Sequence, residues 1–572
     1  MKKILAFILS LSLLAALTAC GGNAPASTGS SAAASDPASA AVPEATQEAP
    51  AEAPASVGTA EASSAEPASA PEAEVVPANT IEYPLSESYT FTMTATLRNN
   101  VLQVLGDDDF SVTSAYRGLA EATGCSIDFN MLGEATAEEK TNIMLASGDM
   151  TDFYTGLGSY GNNLTGAIHD GILFDMAPML DEYAPDYKAL LDSDEELAAS
   201  ATNPDGTVSM FVSQAADVVE KGILIRQDWL DKLGLELPTN REGLEDILHQ
   251  FQSEMGASNP ILMNFGLETG LSGSFNVSYA GMRSMDYQLT EPNGKEVVAC
   301  FASDNFIDYL MYLNHLYNDK LITDDFMSTG REYGNWESSY YSGKCGVWSD
   351  GFRELDPANR SNADDPNYMV SPLALTDYDC HVAERSTASM NGMLFLTTAC
   401  EKPELAMEMI NYCYTTDGRR NGLYGMQGEG YELTPDGKVE LTDNLTNNPN
   451  WSLNNALLWY GAAQWMPTCT DMEYYELIGA KESIDGIKYW TENGGDKAMK
   501  LPAGVSLTAE ANTEFNNLAS DVLTLFSEGA VRVVTGDLDE AGYRSLIEDA
   551  NGMGLARMTE LYQKAYDAYL AG

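Results

Sequence analysis

Thr90-Phe91-Thr92-Met93-Thr94-Ala95-Thr96-Leu97 alternates threonine with apolar side chains without a break. That is the period of a strand with one buried face, in residue types that suit a pleated backbone. Working outward, residues 111–123 read as a helix closed by Gly124, and Ser126-Ile127-Asp128-Phe129 as the next strand. Thr136 has Glu139 three residues on, the capping-box spacing, and opens a helix that ends at Gly148 before a third strand at Thr151-Asp152-Phe153-Tyr154. Strand, helix, strand, helix, strand in that order predicts a parallel sheet with helices on its faces.

A second α/β unit follows. Gly222-Ile223-Leu224-Ile225-Arg226 is a short strand running into Asp228-Trp229-Leu230. Thr239 and Glu242 repeat the capping-box spacing, for a helix to about Ser253, and residues 261–265 read as a strand. Ser303 caps a long helix whose Phe306, Leu310, Leu313 and Tyr317 recur at helical spacing. Gly346-Val347-Trp348 and residues 393–397 are further strands, and Pro403 sits where the first turn of a helix accepts proline. Residues 508–570 read as helical, broken at 529–536 and 552–554. There is no internal repeat.

Before this body comes a different kind of chain. Lys2 and Lys3 precede an apolar run over residues 4–17, too short for the ~20 residues of a membrane-spanning helix. A basic start, a short apolar core and small residues describe a secretory signal peptide. Leu17-Thr18-Ala19-Cys20 resembles the bacterial lipobox, which implies cleavage before Cys20 and lipidation of that residue. Residues 21–80 are Ala, Pro, Ser, Thr and Glu with almost nothing to bury, so they read as a disordered tether. Such a segment of ~60 residues reaches on the order of 45 Å.

The 572 residues, 44% of them hydrophobic, leave room for more than one lobe. A formal net charge of −55 argues against binding a phosphate backbone, so no nucleic-acid partner is expected. It also makes the lipid, not surface charge, the membrane contact. Of eight cysteines one is the lipid site; the other seven are scattered, with no CxxC pair, and read as mostly buried thiols with a disulfide left open. His169, His249, His315 and His381 are isolated from one another in sequence, so neither a metal site nor a cofactor is expected.

Several stretches resemble the family 1 extracellular solute-binding proteins of ABC transporters, in particular the LipO-type lipoproteins. These are Gly171-Ile172-Leu173 with Leu180-Asp181-Glu182-Tyr183-Ala184-Pro185, then Asn203-Pro204-Asp205-Gly206. Most similar is Ile225-Arg226-Gln227-Asp228-Trp229-Leu230-Asp231-Lys232-Leu233-Gly234 with Leu237-Pro238-Thr239. Leu321-Ile322 with Asp325-Phe326, Ser342-Gly343-Lys344, Lys402-Pro403-Glu404-Leu405-Ala406-Met407 and Gly428-Glu429-Gly430-Tyr431 continue it, from about Tyr89 to Tyr569.

The resemblance implies an α/β, two-lobed periplasmic-binding-protein-like fold of type II, with hinge-linked lobes and a helical C-terminal region. By analogy the chain crosses between lobes near 209–220, 384–390 and 462–467. One lobe would then hold residues 81–212 and about 388–465, the other about 213–387 and 466–572. It further implies a monomer, anchored outside the cell, that captures a carbohydrate such as an oligosaccharide and delivers it to ABC permease subunits without altering it. Other readings are the same fold holding a peptide or another non-sugar solute, or a surface enzyme acting on glycans. Many relatives carry an acidic calcium loop after the capped helix. Here that place reads Ser253-Glu254-Met255-Gly256-Ala257-Ser258-Asn259-Pro260, with a single carboxylate, so calcium is not expected there.

Sugars need aromatic planes for their C–H faces and polar groups for their hydroxyl rim. Tyr154 and Tyr160 flank the end of the third strand, where open α/β sheets bind ligands, with Asn162 beside them. Trp348 with Asp350 sits just after a strand in the second unit and resembles the place where maltose-binding-type relatives put a stacking tryptophan. Tyr279, Trp459 and Trp465 come from cleft or crossing segments, and Arg226 and Arg385 are scarce cations in an acidic chain. Each of these taken singly is as much at home in a core or a structural ion pair. Trp229 reads as core packing. Gly156-Leu157-Gly158-Ser159-Tyr160-Gly161 satisfies GxGxxG but follows the third strand of an exported chain, so it reads as a ligand-side loop and not a nucleotide site. Neither a G-x-S-x-G elbow nor an H-E-x-x-H helix is present, and no catalytic residue is assigned.

Overall fold

Strand β1 (Thr90–Leu97) buries Phe91, Met93 and Ala95, the apolar face that the alternation predicts. The computed structural model describes residues 80–571 except 158–163, 264–266, 279–285, 324–325, 327–336 and 462–464. β1 pairs in parallel with β2 (Ser126–Gly133) over its whole length, and on its other side with β3 (Phe153–Tyr154). Helices Ser114–Thr123 and Ala137–Ser147 make the two connections, and both stop at a left-handed glycine, Gly124 (φ 80°) and Gly148 (φ 73°). The capping box at Thr136 does not form. A 3₁₀ turn, Glu134–Thr136, runs into the helix, and the Thr136 hydroxyl donates back to the Gly133 carbonyl (3.3 Å).

Two more strands complete this sheet, β4 (Met210–Gln214) and, much later in the chain, a strand Ala388–Leu396. The late strand lies between β3 and β4 and is antiparallel to both. It returns from the second sheet, so it enters from the opposite end. The sheet is therefore mixed, with only its first three strands as expected from their order.

The second sheet has three strands. β5 (Lys221–Arg226) is central, flanked antiparallel by β6 (Val347–Gly351) and β7 (Val370–Leu373). The late strand of the first sheet is hereafter β8. Of the expected strand at 261–265, the described part is a single bridge from Ile261 to Val347. One face of the sheet carries Ile223, Ile225, Val347 and Leu373, against helices Arg241–Glu254 and Asp304–Asn318. The other carries Leu224 and Trp348, against helix Lys481–Asn493. Asn240, not Thr239, caps the first of these helices, its Oδ1 accepting from the Gly243 N–H (2.9 Å), because the Thr239 hydroxyl is drawn to Asp377 (3.0 Å). Ser303 caps the second as read, accepting from the Phe306 N–H (3.2 Å).

Three helices end the chain: Ala509–Val534, Glu540–Met553 and Leu555–Ala571. The first break falls at Gly536 (φ 81°) and the second at Gly554, so Gly529 stands inside a continuous helix, contrary to its reading as a break. A Cβ on Gly529 would meet Leu546 at 2.6 Å. Its role is close approach of two helices, not interruption of one.

Three passages of chain join the sheets: 215–220 from β4 to β5, 374–387 from β7 to β8, and 461–471 between helices Leu453–Tyr460 and Met472–Ile478. They run side by side. The Gln214 N–H donates to Thr468 (3.0 Å), the Thr470 N–H to Gln214 (3.0 Å), and the Ala215 N–H to Thr387 (2.8 Å). Backbone hydrogen bonds thus hold the passages in register at one narrow junction.

Candidate functional site between the sheets

The pairing pattern sets the direction of the first sheet. β8 is antiparallel to β3 and to β4, so β1, β3 and β4 all end at the edge from which the passages leave. Carboxyl ends of strands in an open α/β sheet are where ligands gather, because loops diverge there and leave a crevice. At this edge stand Leu97 closing β1 and Arg98 after it, Thr155 and Gly156 after β3, and Gln214 closing β4.

Trp465, on the third passage, lies against that edge. Its indole N–H donates to the Thr96 carbonyl at 2.7 Å, and the Arg98 guanidinium sits 5.0 Å from the ring centroid. The residue is half-buried and has φ 68°. A bulky side chain in the left-handed region is a conformational outlier, held only where its surroundings over-determine it. Here the hydrogen bond and the cation over the ring do so. The result is a fixed aromatic plate at the end of β1.

The edge of the second sheet from which the passages leave holds a pocket of about 170 Å³. Ile223, Leu271, Val277 and Leu373 give it apolar walls, with Ser349 and Glu268 among them. Glu268 is only 2% exposed and accepts a short hydrogen bond from the Gly270 N–H. Glu384 lines the rim and accepts from Ser278 Oγ (3.1 Å) and Lys500 Nζ (3.0 Å). Trp490 closes one side, 2% exposed, and its indole N–H meets no hydrogen-bond partner. Gly222 is required beside it, since a Cβ there would lie 2.5 Å from the indole.

No family model matches the chain. It is 21% identical over 479 residues to the lipoprotein LipO of Bacillus subtilis, covering 78% of this chain and 88% of LipO. To the fructooligosaccharide ABC transporter substrate-binding protein FusA of Streptococcus pneumoniae it is 23% identical over 524 residues, 86% of this chain and 92% of FusA. Among solved structures, the alginate-binding protein AlgQ2, crystallised without calcium, superposes with TM-score 0.67 at 20% identity, covering 85% of this chain and 99% of AlgQ2. The chain is thus similar in sequence to an ABC transporter substrate-binding protein and in fold to solute-binding proteins.

The fold is two-lobed α/β, with one sheet in each lobe. Several residues singled out in the sequence are placed elsewhere than at the crevice. Trp348 is fully buried, with one ring face stacked on Tyr340 (centroids 4.6 Å, planes 5° apart), so it offers no surface to a sugar. Tyr154 is buried in the core of the first lobe, beside Thr94 and Thr151. Arg226 is 1% exposed, bonded through Nε and Nη2 to Asp228 (2.8 and 2.6 Å) and set between the rings of Trp229 and Tyr368. All three hold the fold together, because helices packed over the strand ends cover them. Trp229 is core, as read.

Arg385 is at the hinge but engaged, with both nitrogens on Asp217. Asp350 is half-buried at the end of β6, where its Oδ1 accepts from the Gly351 N–H (2.8 Å). Trp459 is half-buried and tilted against Trp451 (5.4 Å). Tyr160, Asn162, Tyr279 and the lipidation residue Cys20 lie outside the described residues. Of the described residues named from sequence, Trp465 and Arg385 stand on the passages between the sheets, and Asp350 stands opposite Gly222 at the edge of the second sheet.

Glu268 and Trp490 were missed by sequence reasoning. Neither sits in a motif, and they meet only through the fold. His249 and His315, read as isolated, both approach Asp319 (3.7 and 3.9 Å) across two neighbouring helices. Among the described residues no group of three or more His, Cys, Asp or Glu is placed to hold a metal ion. In the loop at 253–260, Asn259 is a structural residue whose Oδ1 accepts from the Thr323 N–H. The seven described cysteines are all unpaired.

Proposed function

We propose that this protein is the lipid-anchored solute receptor of an ABC importer, and that it captures an oligosaccharide between its lobes. The lobes are assigned as 81–212 with about 388–465, and about 213–387 with 466–572, the hinge being the three hydrogen-bonded passages. The observation that carries the reading is Trp465, a half-buried aromatic held in a strained backbone conformation at the carboxyl end of β1. Strain kept at such a place is characteristic of ligand sites. The likeness to FusA, a fructooligosaccharide transporter's substrate-binding protein, and to the alginate-binding AlgQ2 supports a carbohydrate cargo.

Capture works by population shift. An open form exposes the Trp465 edge, and ligand touching both lobes adds contacts that only the closed form makes. The loaded, closed monomer then docks on permease subunits. Cys20 carries the lipid, and residues 21–80 give the lobes reach from the outer face of the membrane. No helix among the described residues is long and apolar enough to cross a membrane. The cargo leaves unaltered, and no cofactor takes part.

Thermal-shift screening of the protein against a panel of glycans tests this. A cargo at about 100 times its Kd adds about 2.7 kcal/mol to the folded state. A panel in which peptides stabilise the protein and no glycan does would assign the other cargo class. Consumption of a bound glycan would make the protein an enzyme.

A further inference from the structure

We infer that Lys497 and Glu196 are positioning residues for capture, an ion pair that clasps the two lobes together beside the hinge and so favours the closed form. The inference rests on the two-lobed receptor reading and names what regulates its closing.

The contact crosses between the lobes. Lys497, in the segment after helix Lys481–Asn493 of the second lobe, donates through Nζ to Glu196 Oε2 at 2.7 Å. Glu196 stands in the first turn of helix Glu195–Ala201, which belongs to the first lobe and packs beside β4. Both side chains are partly exposed, so the bond breaks and re-forms without unfolding either lobe. Gly504 also lies between the lobes: a Cβ there would sit 2.9 Å from Tyr569 of the last helix and 3.6 Å from Ala199 of the first-lobe helix. Elsewhere, Arg353 of the second lobe donates to the Asn454 side chain of the first. Lobes that already touch at separate places can only part, and a bond of 2.7 Å does not survive parting.

The pair is coupled to the hinge. Asp217, on the first passage, is held below its ordinary value chiefly by its hydrogen bond from Arg385, and the charge of Lys497 lowers it further. Arg385, on the second passage, is held above its ordinary value chiefly by Asp217, and Glu196 adds to this. The four charges thus alternate in sign from one lobe, through two passages, to the other lobe. Ion pairs joined in a network are held better than isolated surface pairs.

Charge gives the clasp its use. A chain with a net charge of −55 pushes its own parts away from one another. Lys497 and Arg353, cations of the second lobe that meet the first, oppose that push. A contact made only in the closed form raises cargo affinity by the factor with which it favours that form. For one partly exposed ion pair that factor is roughly two to five.

The test reads the lobe arrangement directly, by pulsed electron paramagnetic resonance on the full-length chain. One spin label replaces exposed Lys140 in the first lobe and another exposed Asp246 in the second. Ketone side chains carry the labels, which leaves the native thiols untouched. Lys497→Met should broaden the distance distribution. It should also weaken binding of the glycan with the largest thermal shift, roughly two- to fivefold. Lys497→Arg should match wild type in both, since a guanidinium can make the same bond. Glu196→Gln should act as Lys497→Met does, and the two together should do no more than either alone, as partners in one contact do. A distribution or an affinity unchanged in Lys497→Met, or effects of the two variants that simply add, overturns this inference and leaves the receptor reading standing. Where no glycan shifts the protein, the receptor reading fails, and the label distances alone decide the clasp.

Discussion

Asp217 and Arg385 lie on different passages between the lobes and are joined by two hydrogen bonds, Nε to Oδ1 at 2.9 Å and Nη2 to Oδ2 at 2.7 Å. The fork geometry fixes the passages relative to each other more firmly than a single contact would. The guanidinium holds the Asp217 carboxyl below its ordinary value of 3.8. A carboxyl depressed in the folded state stabilises it fully above the unfolded value and loses that contribution as pH falls through the folded one. Asp217 and Arg385 are both partly exposed, so solvent screens the pair, and Asp217→Asn should cost at most about 1 kcal/mol at pH 7. Urea unfolding of wild type and variant at a series of pH values checks this. The gap between them should be constant from pH 7 to pH 5 and narrow below the ordinary carboxyl value; a gap that widens in acid would contradict the assignment.

Two tryptophans separate binding from folding. Trp348 is buried and stacked on Tyr340, so Trp348→Ala should lose about 3–5 kcal/mol of stability. Trp465 is at the crevice in a left-handed conformation, and its replacement should instead lower glycan affinity roughly tenfold, as loss of one aromatic plate does. Trp465→Gly should be more stable than Trp465→Ala by about 1 kcal/mol, because glycine has no Cβ to strain at φ 68°. Denaturation midpoints and titrations of the three variants together read both effects. Equal stabilities for the Gly and Ala variants would mean that the backbone there is unstrained.

The elements of the fold were legible wherever one face is buried. β1 alternates because its neighbours cover a single face, and the Ser303 helix repeats its apolar residues because one stripe meets the sheet. Caps were less legible, since they depend on competitors. Thr239 has the right spacing but Asp377, far along the chain, takes its hydroxyl, and Asn240 becomes the cap. The site was least legible. Tyr154 ends β3 and Trp348 lies near the start of β6, and whether such an aromatic faces ligand or core depends on what packs over it from elsewhere in the chain. Glu268 and Trp490 carry no local pattern at all, and only the closing of the second lobe makes them neighbours.

Thiol chemistry gives a third prediction. Of the seven described cysteines six are buried, and Cys380, half-buried on the second passage, is the exception. Burial also pushes its thiol above the ordinary value, which leaves little thiolate at neutral pH. Alkylation of the native chain should therefore be slow, directed to Cys380 first, and faster as pH rises through 9. Mass mapping after short exposure to iodoacetamide reads it. Because Cys380 lines the pocket, bound cargo should slow the reaction further. Rapid modification of Cys413 or Cys345, both fully enclosed, would show that the native cores open readily.

Two helical glycines in the C-terminal region make opposite demands. Gly529 is buried where helix Ala509–Val534 crosses Glu540–Met553, and a Cβ there would meet Leu546 at 2.6 Å. Gly552, near the end of the second helix, has open space around it. In a helix alanine is favoured over glycine by about 1 kcal/mol when nothing obstructs the methyl group. Gly552→Ala should then be neutral or stabilise by up to about that amount. Gly529→Ala gains the same helical preference but must push Leu546 or separate the helices, and overpacking of that kind costs about 1–3 kcal/mol. The net effect at Gly529 should be a loss, and Leu546→Ala introduced beside it should recover part of the loss by making room. Thermal unfolding of the two single variants and the double variant measures the coupling. If Gly529→Ala alone were as stable as wild type, the helices would be shown to have slack at their crossing.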